Sequence, residues 1–334
     1  MIPEANTLRP LKTWSHLAKN RRRPTEYEIV STDLLWTREN PQAPFTQSPT
    51  IPSSQWFLKY RENTALTHPD WDAFRDPDQL VYRTYNTIQD GQESYVDGLL
   101  DEHARNDHDF GLSAEWLAQL AARYTPGRYL IHALQMSSNY LVALAPSSTV
   151  ANCLMFQAGD QLRWVSRIAY RTAELRKNHP DVGFGQTERR CWETADHWRG
   201  FVELVEKCLT TWDFSEQLFA LNVIVKPSID TAYLREFGSY GRREGDALTG
   251  LLSEAQCIDS DRSKRWTRAL LQFVAEEPEA GKANIDTMQH WARQWTPLAD
   301  AAIDSFFTGL PNSERHIEAA KYETLMFRRM LGLE

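Results

Sequence analysis

The sequence has little of what anchors metals, disulfides or membrane spans. Its 334 residues include four cysteines, Cys153, Cys191, Cys208 and Cys257, which are far apart and form no C-x-x-C pair of the kind that zinc sites and redox motifs use. We expect reduced thiols, because disulfide frameworks are rare in a chain this large without a secretion signal. No apolar run approaches the roughly 20 residues that span a bilayer, and residues 1–4 lack a basic, apolar leader. The sequence predicts a cytoplasmic protein that does not enter a membrane.

An excess of positive charge is also missing. The chain carries 37 Lys and Arg against 45 Asp and Glu, a net charge of -8, and affinity for nucleic acid depends on clustered cations. The basic run at 19–23 could suggest a nucleic-acid patch, but such runs are more often solvated or ion-paired surface. We therefore predict no nucleic-acid partner.

Catalytic motifs are absent as well. The H-E-x-x-H, P-loop, G-x-S-x-G and S-x-x-K patterns do not occur, and none of the nine histidines follows an Asp or Glu by three residues, the spacing that di-iron helical bundles use. His132 and Gln135 form a reversed, uncharged version, for which a core histidine is the favoured interpretation. The acidic and histidine-rich stretch 101–109 favours a solvated helix end over a metal site. A helical metalloenzyme with unrecognised ligands stays open as the alternative.

What the sequence does contain is aromatic and proline-rich at its start. Eight of 16 prolines and nine aromatic residues fall within 1–75, where proline prevents long helices and exposed rings would lose burial energy. We predict an extended arm over 1–75 and a helical domain over 76–334. The arm either wraps its own domain or lies over partner subunits, and composition favours neither.

Long helices are predicted after the arm. Asp76 and Pro77 suggest a helix start, and one stripe runs along Val81, Tyr85, Ile88, Gln92, Tyr95 and Leu99 to a helix end near residue 106. Ser113, Thr125 and Ser147 predict further starts, the last for a helix to about 178 whose outer face carries Asp160, Arg163, Arg167, Arg171 and Glu174. Later helices are predicted at 196–212, 213–226, 228–240, 246–275, 284–308 and 314–331. With no strand pattern, lengths near 30 residues indicate an all-α bundle of antiparallel helices.

A family resemblance covers nearly the whole chain. The segments 11–18 and 21–31 resemble the opening of toluene monooxygenase hydroxylase β subunits, and 71–86 and 89–96 resemble that family's first long helix. Further similar segments are 134–138, 145–149, 162–164, 169–172, 265–266 and 295–300. Divergence is greatest at 38–55 and in the last thirty residues.

The resemblance implies a ferritin-like fold and a non-catalytic β subunit of a multicomponent di-iron monooxygenase. It implies no cofactor in this chain and a di-iron centre in the partner α subunit, within an α2β2γ2 hydroxylase of α, β and γ chains. Electrons from NADH would arrive through a reductase and a Rieske ferredoxin under the control of an effector protein. The α subunit would hydroxylate aromatics such as toluene or epoxidise alkenes such as isoprene with O2.

Subunit contacts are predicted in the arm and on the first long helix. The candidates are Trp14, His16, Arg21, Arg22, Arg23, Tyr27, Trp71, Tyr82, Tyr85, Gln89, Gln92 and Tyr95.

Overall fold

The computed structural model describes residues 24–31 and 50–334, and within these ranges every regular element is helical. Two short helices come first, α1 (Glu26–Ser31) and α2 (Pro52–Phe57), the second extended by a π-helical turn to Glu62. The bundle follows as α3 (Tyr82–Arg105), α4 (Ala114–Gln119), α5 (Gly127–Leu144), α6 (Ser148–Asn178), α7 (Glu188–Thr194), α8 (Asp196–Leu209), α9 (Phe214–Phe219), α10 (Lys226–Ile229), α11 (Phe237–Arg243), α12 (Ala247–Ala275), α13 (Gly281–Phe307) and α14 (Glu314–Met330). The predicted all-α fold is confirmed.

Two predicted helix starts are made by serine caps. The Ser113 hydroxyl accepts a hydrogen bond from the Trp116 amide at 3.1 Å, and the Ser147 hydroxyl accepts one from the Val150 amide at 3.4 Å. Each satisfies an amide that the first turn of a helix leaves unpaired. The second cap begins α6, the longest helix of the described chain at 31 residues.

The predicted start at Asp76 is wrong. The Asp76 carboxylate accepts hydrogen bonds from the backbone amides of Asp78 and Leu80, at 3.0 and 3.2 Å, and so closes a tight turn. Gln79 in that turn has a φ of 47°, a left-handed conformation that a helix cannot contain. Helix α3 therefore begins six residues later, at Tyr82.

The predicted break at Pro227 is also wrong. Helical backbone runs through α9, α10 and α11, which are joined by π-helical stretches at Ala220–Val225 and Asp230–Glu236. A proline lacks the amide that an α-helix needs and crowds the preceding turn, and a π-helical stretch shifts that pairing. We call residues 214–243 the central helix. All residues from 217 to 234 are buried, because α5, α8, α12, α13 and α14 surround it.

The described parts of the arm lie on the bundle. Ser148 donates a hydrogen bond from its hydroxyl to the Ser31 carbonyl oxygen at 2.5 Å, and the Asn284 amide donates to the Thr67 carbonyl oxygen at 2.9 Å. Leu66 and Phe74 belong to the same apolar core as the long helices. These parts of the arm therefore wrap their own domain.

A close helix crossing at Gly200 gives a stability test. A Cβ on Gly200 of α8 would lie 2.6 Å from the Ala302 Cα of α13, whereas one on Gly98 of α3 would meet nothing within 4 Å. We expect Gly200→Ala to lower the free energy of unfolding by about 1–3 kcal/mol through overpacking. The control Gly98→Ala should raise it by about 0.5–1 kcal/mol, since alanine favours helix interiors. Urea unfolding of the purified chain measures both, and equal effects would contradict the packing.

Candidate functional site: a buried charge network and an exposed apolar face

Helix α6 has its charges inside and its apolar side chains outside. Asp160 and Arg171 are 4% and 3% exposed, and Arg163 and Arg167 are mostly covered. The predicted outer face of ion pairs is therefore wrong, because the partners of these residues lie mainly on other elements. Between 155 and 173 the exposed positions form one stripe without charge, which we call the apolar face: Met155, Leu162, Ser166, Tyr170 and Ala173.

Two buried carboxylates, Asp160 on α6 and Asp259 on α12, are the centre of the network. The Arg262 guanidinium contacts both, at 3.2 Å from Asp259 and closer to Asp160. The side-chain amide of Gln89 on α3 also donates to both, at 2.9 Å to Asp160 and 3.0 Å to Asp259. The Tyr85 hydroxyl donates to Asp160 at 2.9 Å. Because these groups come from three helices, the network fixes α3 against α6 and α12.

Arginines of α6 extend the network towards α3. Arg163 pairs with Glu93 at 2.8 Å and also contacts Asp259. Arg167 contacts Glu93 and lies 2.5 Å from Asp97. Paired in this way, the guanidinium groups can lie between packed helices at a much lower cost than unpaired charges.

The acidic stretch 101–109 is divided among separate contacts. Arg171 binds Asp109 through two hydrogen bonds of 2.8 and 2.5 Å, while the His108 ring lies 3.1 Å from Asp246, the N-cap of α12. Burial alone would raise the pKa of Asp109, but Arg171 outweighs it and the pKa is lowered. These contacts hold helix ends together.

A small cavity lies where α5, α6, the central helix and α12 meet. Its volume is about 20 Å³, and its lining includes Gln157, Gln161, Lys226, Asp230 and Ser260. The Lys226 ammonium is 2.6 Å from Asp230 and 3.1 Å from the Ser260 hydroxyl. The lining contains no imidazole, and in the described chain no three His, Cys, Asp or Glu side chains are placed to hold a metal. These residues do not fit a di-iron centre.

His132 does not lie in this core. It is exposed on α5, whereas Gln135 of the same helix is half-buried. The predicted core histidine is therefore wrong, because α5 turns this edge to the surface. The described helices also include none long and apolar enough to cross a membrane.

The predicted interface residues fall into three groups. Trp14, His16, Arg21, Arg22 and Arg23 lie outside the described residues. Tyr27, Trp71, Tyr85 and Gln89 have their side chains engaged within the chain: Tyr27 accepts a hydrogen bond from the Asp76 amide at 3.0 Å, and Trp71 meets the rings of Phe214 and Phe273.

The remaining three candidates lie at or near the surface of α3. Tyr82 and Tyr95 are 70% and 49% exposed, and Gln92 is half-buried. Ile88 is 42% exposed beside them. Their role in subunit contacts stays a prediction.

Sequence reasoning missed the apolar face of α6. Its members recur at helical spacing, with intervals of seven, four, four and three residues, which is the signal that could have found them. Such a stripe usually faces the core, and the charges of α6 were assigned to solvent for the same reason. Only the acidic partners on α3 and α12 reverse the assignment.

Comparison with known proteins identifies the class. The family model for methane, phenol and alkene hydroxylases matches residues 56–278, and this chain belongs to that family. The chain is 43% identical over 302 residues to the β subunit of the hydroxylase component of the toluene-4-monooxygenase system of Ectopseudomonas mendocina, covering 90% of this chain and 91% of the relative. It is 23% identical to the small subunit of the propane 2-monooxygenase hydroxylase of Gordonia sp. (strain TY-5), covering 86% and 78%.

Solved structures agree. A structure of toluene 4-monooxygenase with toluene in its resting active site contains a chain that matches with a TM-score of 0.85 and 42% identity, covering 91% of this chain and 99% of that one. Phenol hydroxylase from Pseudomonas sp. OX1 matches with a TM-score of 0.82 at 19% identity, covering 98% of both chains, which supports the fold alone. The predicted family, ferritin-like fold and likeness to hydroxylase β subunits are confirmed.

The charge network predicts a pH dependence. Burial, with the nearby Asp259 carboxylate, raises the pKa of Asp160 to about 7 despite Arg262. An unfolded aspartate has a pKa of about 3.9, so the native state binds the extra proton between these values and stability falls as pH rises through about 7. We expect the stability of the wild type relative to Asp160→Asn to decrease from pH 5 to pH 8 in thermal unfolding.

The control is Asp101→Asn, which removes one acid from the exposed side of α3. A wild-type profile that runs parallel to that of Asp160→Asn across this range would contradict the raised pKa.

Proposed function

We propose that this chain is the structural β subunit of a multicomponent di-iron monooxygenase hydroxylase in the cytoplasm. It supports an iron-bearing α subunit within an α2β2γ2 assembly that receives NADH-derived electrons through a Rieske ferredoxin and is regulated by an effector protein. The α subunit hydroxylates aromatics such as toluene or epoxidises small alkenes such as isoprene with O2. The observation that carries this proposal is the apolar face of α6.

The apolar face has the composition of a contact surface. Met155, Leu162 and Tyr170 are 44%, 50% and 53% exposed, in a stretch of 19 residues whose exposed positions carry no charge. Single exposed apolar residues are ordinary, but a contiguous exposed stripe is typical of an interaction site. Covering it would contribute about 25 cal/mol for each Å² of apolar surface removed from water.

Helix α3 borders this face and has room for close approach. Gly159 of α6 lies beneath the Tyr85 hydroxyl of α3, so the two helices are neighbours. Gly91 and Gly98 face open space on the outer side of α3, although glycine inside a helix costs about 0.5–1 kcal/mol relative to alanine. Nothing in the described chain uses the space above these glycines, which a helix of another subunit would fill.

The partner we assign to this surface is the α subunit. The relatives that match along nearly the whole chain are hydroxylase component subunits, and such subunits work beside a catalytic one. The charge network holds α3 and α6 rigidly against α12, so the surface presented to the partner is preformed. A rigid support keeps the partner's metal ligands in place through packing.

Co-purification tests the docking surface. We expect the double variant Leu162→Arg/Tyr170→Arg to bind the α subunit more than tenfold more weakly, because two buried unpaired charges cost more than 1.4 kcal/mol. The matched control is Tyr322→Arg/Met326→Arg, at exposed positions of α14, a helix that packs on α13 and the central helix. Both variants are compared with the wild type for the amount of α subunit retained on a tagged β subunit. Equal retention by the two variants would contradict this surface.

Metal analysis tests the structural role against the metalloenzyme alternative. The buried Lys226 cation predicts that the purified chain contains no stoichiometric iron after expression with excess iron, whereas its complex with the α subunit does. Elemental analysis of both samples gives the answer. Two irons per polypeptide together with oxygen consumption by the chain alone would overturn the structural role.

A further inference from the structure

The cavity beside Lys226 has a built polar lining inside the bundle. Its residues come from four helices, and the volume is about 20 Å³. Lys226, Asp230 and Gln161 are 7%, 3% and 4% exposed. A space of this size holds one water molecule, which needs at least about 10–15 Å³, and is too small for two.

Unpaired hydrogen-bonding groups line this cavity. Both side-chain polar atoms of Gln161 and the Oε1 atom of Gln157 have no partner among the described residues. The Gln157 Nε2 is occupied by Ser138 at 3.1 Å and Asn222 at 2.9 Å. Leaving a buried amide unpaired costs about 1–3 kcal/mol per group, so a ligand that pairs with these atoms stabilises the fold.

Lys226 supplies a further donor. Of its three N–H bonds, Asp230 takes one and the Ser260 hydroxyl another, which leaves one for a molecule in the cavity. A Lys ammonium is a compact charge with three donors. The cavity thus offers a donor from the central helix and an amide from α6 that can both donate and accept.

The charges select a neutral ligand. The ammonium repels a cation, and the carboxylates of Asp160, Asp230 and Asp259 in the lining repel an anion. An apolar gas would leave the Gln161 amide unpaired. Water alone meets the size, the neutrality and the need to donate and accept.

We propose that this cavity is a binding site for one water molecule, held by the Lys226 ammonium and the Gln161 amide, with the Gln157 carbonyl oxygen beside them. The water joins α6 to the central helix. Lys226 and this neutral ligand together link helices that a metal would otherwise cross-link. The inference concerns only the interior of this chain and does not depend on which partner covers the apolar face.

Crystals of the whole hydroxylase test the site directly. At a resolution that shows ordered solvent, we expect one peak within hydrogen-bonding distance of Lys226 Nζ and the Gln161 amide. Crystals soaked in manganese chloride or sodium bromide should show no anomalous signal there. An empty cavity, or an anomalous peak from either ion, would overturn the proposal.

A substitution gives opposite results for a wet and a dry cavity. Gln161→Met keeps the length of the side chain and removes its polar atoms. If water binds there, the variant takes away one of its partners, and the unfolding midpoint of the hydroxylase falls by about 1–4 °C. If the cavity is dry, removing two unpaired groups raises the midpoint, which contradicts the proposal.

The matched control is Gln272→Met, an exposed position on α12. Gln and Met have similar helix propensities, so this control should shift the midpoint by less than about 1 °C.

Discussion

The structure depends on the pairing of two buried carboxylates with arginines. Asp160 and Asp259 are both about 4% exposed, and buried charges persist only when they are paired and hydrogen-bonded. Their partners Arg262 and Arg163 come from the same two helices. Gln89 of α3 then bridges both acids. These contacts set the rotation of α6 about its axis.

Once that rotation is set, the outer surface follows. A helix that turns its charges inward leaves its other side to solvent, and in α6 that side carries Met155, Leu162 and Tyr170. Stability within the chain and the surface offered to another subunit thus have one cause. The relation accounts for a long helix that is amphipathic in the opposite sense to an ordinary surface helix.

The interior of the bundle is neutralised by side chains. In di-iron bundles, carboxylates and histidines on facing helices hold two cations. Here Lys226 supplies positive charge between Asp230 and Ser260, and no imidazole lines the cavity. The helices are therefore held by ion pairs and hydrogen bonds within the chain, as suits a subunit whose role is support.

The sequence by itself determined the all-α class, the start of α6 at Ser147, the missing metal spacing and the family, because these depend on local spacing and residue type. It did not determine that Asp76 closes a turn, that the helix continues through Pro227, or which way α6 faces. Those features depend on partners distant in the chain: Asp160 and Asp259 are 99 residues apart in sequence and are brought together only by packing. Burial of a charge is decided by such partners, and local periodicity carries no record of them.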